Sequence, residues 1–291
     1  MTRSTMLSIK QITPWKTALF ILMLLPMLLG LSYGLLYSFG VIGLLNTGFT
    51  TEHWSDVLLN FSFWKSLLFS FGIGLISVGI SLLIALWMVV NWHRDLRRGK
   101  LSTLIYLPLA FPATVVGFFI FQSFSKAGFW SRFLYQIGII SDIEDFPSVV
   151  NDAYGIGIIL ASSFIITPFL SLILKGIFEN EHVTKFQHIA KSLGASQRQV
   201  LMKITLPILL QKAKTSLLLF LIFVIGSYEI PLLLGRQNPK MITVAIVDKA
   251  QRFNLNDIPQ AYAMAILYVL FLLFLFFGFQ RLAKLKTKAY A

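Results

Sequence analysis

The sequence predicts an all-α membrane protein crossing the bilayer six times, and three observations carry that expectation. Of its 291 residues, 56% are hydrophobic and only 13% are charged, with a mean hydropathy of +0.76. Soluble domains carry about 25% charged residues, so water cannot be the solvent for most of this surface. Six stretches reach the ~20 apolar residues that a helix needs to cross a hydrocarbon core about 30 Å thick. The basic residues collect in short clusters between those stretches. This is a pattern of membrane topology, and it sets aside the nucleic-acid partner that a formal charge of +13 would otherwise suggest.

The expected spans are Trp15–Phe39, Phe63–Trp92, Leu101–Phe124, Tyr154–Phe178, Ile208–Leu234 and Ala261–Leu282. The first follows Arg3 and Lys10, as a signal peptide would. Its apolar run outlasts a 7–15-residue signal core and no A-x-A-like site follows, so it reads as an uncleaved span. Eighteen of the 25 basic residues fall on one side of the predicted topology: the N-terminal segment, Arg94–Lys100, Lys175–Lys214 and the tail from Arg281 onward. Positive charge marks the cytoplasmic face, so both termini are expected there.

Three outer segments have character of their own. Gly40–Ser62 holds no span-length run. Trp130–Ile137 alternates aromatic and polar residues as a short interfacial helix would. Met241–Val247 is apolar but too short to cross, and Lys240 and Asp248 bracket it. No internal repeat or low-complexity linker divides the chain. Gly72, Gly74 and Gly79 of the second span suit close helix approach, and the 27 Phe read as lipid-facing and packing bulk.

The long inner loop is patterned as two helices with a sharp joint. Val183–Leu193 is helix-compatible, and Gly194 follows where a left-handed residue ends a helix. Ser196 and Gln199 form a capping box for a second helix, to which Val200, Leu201 and Ile204 give an apolar face. Read on its own, this is either an ordinary structured loop or a protruding elbow.

At these residues the chain resembles the membrane components of binding-protein-dependent ABC importers. Their cytoplasmic signature runs Glu-Ala-Ala, three residues, Gly, nine residues, Ile-x-Leu-Pro. Here Gly194 is followed by nine residues and then Ile204-Thr205-Leu206-Pro207, with Ala190 closing the opening triplet. The opening departs from the pattern, because His188 and Ile189 stand where Glu and Ala are usual. Leu107–Gly117, with Pro108 and Pro112, is similar to the proline-containing third core helix of these permeases. The resemblance implies the type I importer fold: residues 1–61 hold a cytoplasmic tail, an additional first span and an outer loop, and residues 62–291 hold a five-span core with its coupling loop at 179–207. It further implies a second permease subunit, two ATPase subunits and an extracytoplasmic solute-binding protein as partners. No cofactor is expected in this chain, ATP with Mg being held by the ATPase. His188, Ala190, Gly194, Ala195, Ser196, Leu206 and Pro207 become the expected ATPase-coupling residues, and His188 or a partner permease would stand in for the usual Glu.

The chain offers no catalytic set of its own. It has no Cys, no G-x-x-x-x-G-K-[ST] phosphate loop and no H-E-x-x-H. The histidines His53, His93, His182 and His188 form no i, i+4 pair and lie outside the spans. A membrane-embedded enzyme is therefore not expected. An ATP-independent secondary transporter is opposed by the intact Gly-to-Pro spacing and by the shortage of intramembrane ions.

One acidic residue stands inside a predicted span, Glu229 of Gly226-Ser227-Tyr228-Glu229-Ile230-Pro231. Counted from Lys214 it lies about 15 residues in, or roughly 22 Å at 1.5 Å per residue. An intramembrane carboxylate must face water or protein, and Pro231 disfavours a continuous helix beside it. Tyr228, Glu229 and Pro231 are the expected path residues, the alternative for Glu229 being a carboxylate hydrogen-bonded inside the bundle, with an outer-loop base as one partner for it. Ser227–Gly235 resembles the spermidine/putrescine-type branch and its iron- and thiamine-type relatives. A lone acid suits a cationic solute, which favours a polyamine.

Overall fold

The computed structural model describes residues 14–44, 46, 48–92 and 103–288. The tail before Pro14, with Arg3 and Lys10, lies outside the described residues, as does the loop carrying His93, Arg94, Arg97, Arg98 and Lys100. Every regular element among the described residues is helical. In order they are α1 (Pro14–Ser38), α2 (Glu52–Leu59), α3 (Phe61–Trp92), α4 (Ala113–Phe124), α5 (Phe129–Gln136), α6 (Ile156–Asn180), α7 (Val183–Ser192), α8 (Gln197–Val200), α9 (Leu206–Ile225), α10 (Glu229–Leu234), α11 (Ile242–Ala250) and α12 (Asp257–Lys288). Short 3-10 turns occupy Leu107–Ala110 and Ile143–Asp145.

Five helices among the described residues are long and apolar enough to cross a membrane. The third expected span is the one that is not a single helix. Pro108 starts the 3-10 turn, and Pro112 is the N-cap residue of α4. The Pro112 ring holds Phe111 in extended backbone at φ −89, ψ 128. α4 then has 12 residues, about 18 Å long, short of a full crossing. Apolarity alone named this span, and two prolines four residues apart overrode it.

The chain forms two compact units. One comprises the described part of Met1–Leu59 with Lys249–Val269. In it Tyr33 and Tyr37 of α1 meet the ring of Tyr262, with centroids 6.0 and 4.7 Å away. Asp56 of α2 accepts a hydrogen bond from Gln260 at 2.9 Å. Residues 19–25 of α1 are exposed apolar side chains apart from its backbone, as a lipid-facing helix requires.

The other unit, Asn60–Asp248 with Leu270–Ala291, carries the main core. There α6 is the central span, with Ile158, Ile166, Leu170 and Leu174 nearly inaccessible. α3 lies against it through a row of buried serines, and Ser163 donates to the Ser77 carbonyl at 3.3 Å. Small side chains let these backbones approach closely where no hydrophobic force drives helices together in lipid. Of the three glycines expected to serve this purpose on α3, only Gly74 does. A Cβ there would sit 2.9 Å from Leu221, whereas Gly72 and Gly79 face open space.

The outer segments are helical where expected. α5 shows Phe129, Trp130, Phe133 and Tyr135 to the surroundings, the amphipathic face of an interfacial helix. α11 replaces the short apolar piece, with Lys240 and Asp248 joined as an ion pair.

Candidate functional site

The elbow is built from backbone rules. α6 ends at Asn180, and His182 adopts a left-handed conformation (φ +49) that turns the chain. Val183, fully buried, anchors the first arm in the core. At the end of that arm Gly194 has φ +83, its amide bonding to the Lys191 carbonyl and that of Ala195 to the Ala190 carbonyl, both at 3.0 Å. This pair of bonds is a Schellman motif, which satisfies the carbonyls a helix end leaves orphaned. The motif brings residues 190 and 195 together, so Ala at both positions keeps the joint tight. Ser196 accepts from the Gln199 amide at 3.3 Å, and Gln199 accepts from the Ser196 amide at 2.8 Å, closing the expected capping box.

Beyond this joint α8 runs without a break into the fifth span. Residues Leu201–Thr205 form a π-helical turn, and the Leu206 amide reaches back five residues to the Leu201 carbonyl. Pro207 explains the turn: it has no amide to donate, and its ring would crowd the carbonyl four residues earlier. Leu206 and Pro207 are half-buried at the base of the elbow. The helix from Gln197 to Ile225 is thus one 29-residue body, about 43 Å long.

Two features of the elbow escaped the sequence reading. Gln187 of α7 donates to the Thr205 hydroxyl at 2.9 Å, and that buried hydroxyl donates to the Val200 carbonyl at 3.4 Å. The two arms are therefore strutted by a side-chain bond. Phe186, Ile189 and Leu193 also form an exposed apolar stripe on α7. Their i, i+3, i+7 spacing was readable as a helical face. His188 is exposed beside the stripe, and among the described residues its imidazole has no hydrogen-bond partner.

The second candidate region is where the fifth span stops. α9 ends at Ile225, and Gly226–Tyr228 leave helical pairing before α10 begins at Glu229. The expected break is present, but it lies upstream of Pro231. Pro231 occupies the first turn of α10, where a missing amide costs nothing. Pro231 is buried there, beside Ile230. The freed backbone finds partners in protein. Ser227 donates to the Val224 carbonyl at 2.8 Å, and Thr243 donates to the Ser227 carbonyl. The first amide of α11, on Ile242, bonds to the buried Ser70 hydroxyl at 2.7 Å. Such satisfaction is what non-helical backbone at membrane depth requires. Close packing holds α10 in place, with a Cβ on Gly117 of α4 falling 3.2 Å from Leu233.

Glu229 heads α10 with its side chain exposed, while Tyr228 is half-buried. Among the described residues Glu229 has no ion-pair partner, so the expected alternative of an outer-loop base is not what the structure shows.

Comparison with known proteins gives this geometry its class. Residues 77–288 match the model of the binding-protein-dependent transport system inner membrane component, more than two thirds of the chain. The protein belongs to that family: it is a multi-pass inner-membrane permease of an ABC importer. It is 26% identical over 244 residues to PhnV of Salmonella typhimurium strain LT2, whose name assigns it to a 2-aminoethylphosphonate transport system as a permease, with 83% of each chain covered. Among solved structures, a bacterial ABC transporter involved in import of the acidic polysaccharide alginate matches 92% of this chain and 98% of its own. Its TM-score is 0.61 at 16% identity. The alginate transporter bound to its pentasaccharide-loaded periplasmic protein matches 93% of each chain with a TM-score of 0.63 at 17% identity.

Proposed function

We propose that this permease takes its drive from a separate ATPase subunit gripped at the 183–196 elbow. The continuous helix from Gln197 to Ile225 then carries ATPase closure to the Gly226–Tyr228 break. The observation that carries this reading is that one arm of the elbow is continuous with a membrane-spanning helix, with the other arm strutted to it through Gln187 and Thr205. The stripe of Phe186, Ile189 and Leu193 gives an ATPase groove an apolar surface to bury, and His188 supplies a polar contact where the family pattern has Glu. ATP and Mg reside in the partner, both termini lie in the cytoplasm, and a second permease subunit and an outer solute-binding protein complete the assembly. Purification through an affinity tag on this chain is expected to recover the ATPase subunit. Recovery should fail when residues 183–196 are replaced by a flexible linker, with membrane insertion unchanged. Unaltered recovery would remove the elbow as the grip.

Glu229 and Tyr228 are proposed to line the path at the break. The lone carboxylate supports a solute with an ammonium group, and that chemistry is common to the polyamines favoured by the sequence and to 2-aminoethylphosphonate, named for PhnV. Competition of labelled putrescine uptake by 2-aminoethylphosphonate, each assayed in Glu229→Gln as well, tests this. A normal rate for both solutes in that variant would take Glu229 out of the path.

A further inference from the structure

A cavity of about 540 Å³ lies between α3, α9 and α12, a size within the roughly 300–1,000 Å³ of small-ligand sites. Its walls are apolar and include Phe71, Leu75, Leu217, Leu221 and the two glycines Gly79 and Gly278. A Cβ on either glycine would meet nothing within 4 Å, so the void is not a rounding of the packing but space that two missing side chains leave open. It runs along the apolar, span-length part of all three helices.

The two ends of the cavity differ. At one end Phe71 of α3 meets Phe271 of α12, edge to face at 6.0 Å. At the other, Lys214 precedes Leu217 and Leu218 by one turn of α9, and Arg281 follows Gly278 by one turn of α12. Residues three or four apart share a helix face, so both cations stand below the cavity on the faces that line it. α9 enters the membrane from the elbow, so this charged end is on the elbow's side. Lys212 is paired with Glu181 at 2.8 Å. Among the described residues neither Lys214 nor Arg281 takes part in an ion pair.

We infer that this cavity holds an acyl chain of an anionic phospholipid of the inner leaflet, with Lys214 and Arg281 on its phosphate. The apolar walls suit the tail and the two unpaired cations suit the headgroup, an arrangement known for basic sites at the cytoplasmic ends of spans. The inference depends on the chain's place in the membrane and not on which protein grips the elbow.

The test uses the assembled transporter, purified from membranes containing phosphatidylglycerol and phosphatidylethanolamine and analysed for retained lipid by native mass spectrometry. Only particles that still carry the ATPase subunit are scored, which separates loss of lipid from loss of assembly. Wild type is expected to retain phosphatidylglycerol in preference. Lys214→Gln and Arg281→Gln should each lower that retention about fivefold, the factor corresponding to one interfacial cation. Gly79→Leu with Gly278→Leu should abolish retention of both lipids, because the added side chains fill the cavity. Equal retention in all forms would overturn the inference. As a measurement on the unaltered chain, a photoactivatable phosphatidylglycerol in nanodiscs should label residues 214–221 and 274–281, and labelling confined elsewhere would equally sink it. A second permease chain in the cavity is the competing outcome. Since the chain has no native cysteine, Gly278→Cys cross-linking efficiently to that chain would establish the rival and end the lipid assignment.

Discussion

At the scale of single residues, glycines of the same chain do opposite things. A Cβ on Gly194 would meet nothing within 4 Å, so only its positive φ calls for glycine there. A side chain there pays the left-handed penalty of roughly 1–2 kcal/mol without a clash. Gly194→Ala is therefore expected to loosen the elbow and weaken ATPase recovery, while the thermal stability of the spans changes little. Gly79→Ala is expected to be neutral or stabilising by up to about 1 kcal/mol, because it gains helix propensity in open space. Parallel melting of the two variants checks both. Gly194 was legible in the sequence because turn chemistry is local: a Gly before a capping box has few alternatives. The bareness of Gly79 was not, because what faces a helix glycine depends on a neighbour more than a hundred residues away. The break beside Glu229 was legible from Pro231, but its place at Gly226–Tyr228, upstream of the proline, was not, because the proline sits in the first turn of α10 where no amide is required.

Among elements, the elbow depends on the strut that joins its arms. Gln187→Leu removes the donor and leaves the buried Thr205 hydroxyl with the Val200 carbonyl alone. Thr205→Val removes the hydroxyl and with it both bonds. Either change should leave the ATPase bound and hydrolysing ATP while transport falls several-fold, since the first arm could then pivot without moving the span. Measuring ATP hydrolysis and solute uptake on the same proteoliposomes checks this, and a parallel fall in both would instead indicate lost docking. The existence and order of the helices followed from apolar runs and caps. The split of the third span did not, because a hydropathy reading is blind to the geometry that Pro108 and Pro112 impose. The strut was hidden for a different reason: Gln187 and Thr205 are 18 positions apart, and their approach is set by the Gly194 turn and the π-helical turn together.

For the molecule as a whole, charge sets the direction. The proposed sidedness rests on the basic clusters before α9 and after Gly278, so reporter fusions beyond Lys288 and within the loop after α6 are expected to read as cytoplasmic, and one within 138–150 as external. Opposite readings at either inner position would place the elbow beyond any cytoplasmic ATPase. The family and the membrane class were open to reading from the Gly194-to-Pro207 spacing and from composition. The solute was not, because most residues of a span answer to the bilayer and to packing, and carry little mark of what passes between them.

The unbroken run from Gln197 to Ile225 has a mechanical corollary. Beyond the π-helical turn and Pro207 the helix is regular to Ile225, and a regular helix passes on rotation as well as translation. Whatever motion is imposed at its inner tip must be taken up by the three residues where it ends. On the proposed reading, grip and gate are the two ends of this helix, and the joint at Gly226–Tyr228 must be compliant for anything beyond it to open. Stiffening that joint with Gly226→Ala should leave the motor turning over while the gate stays shut.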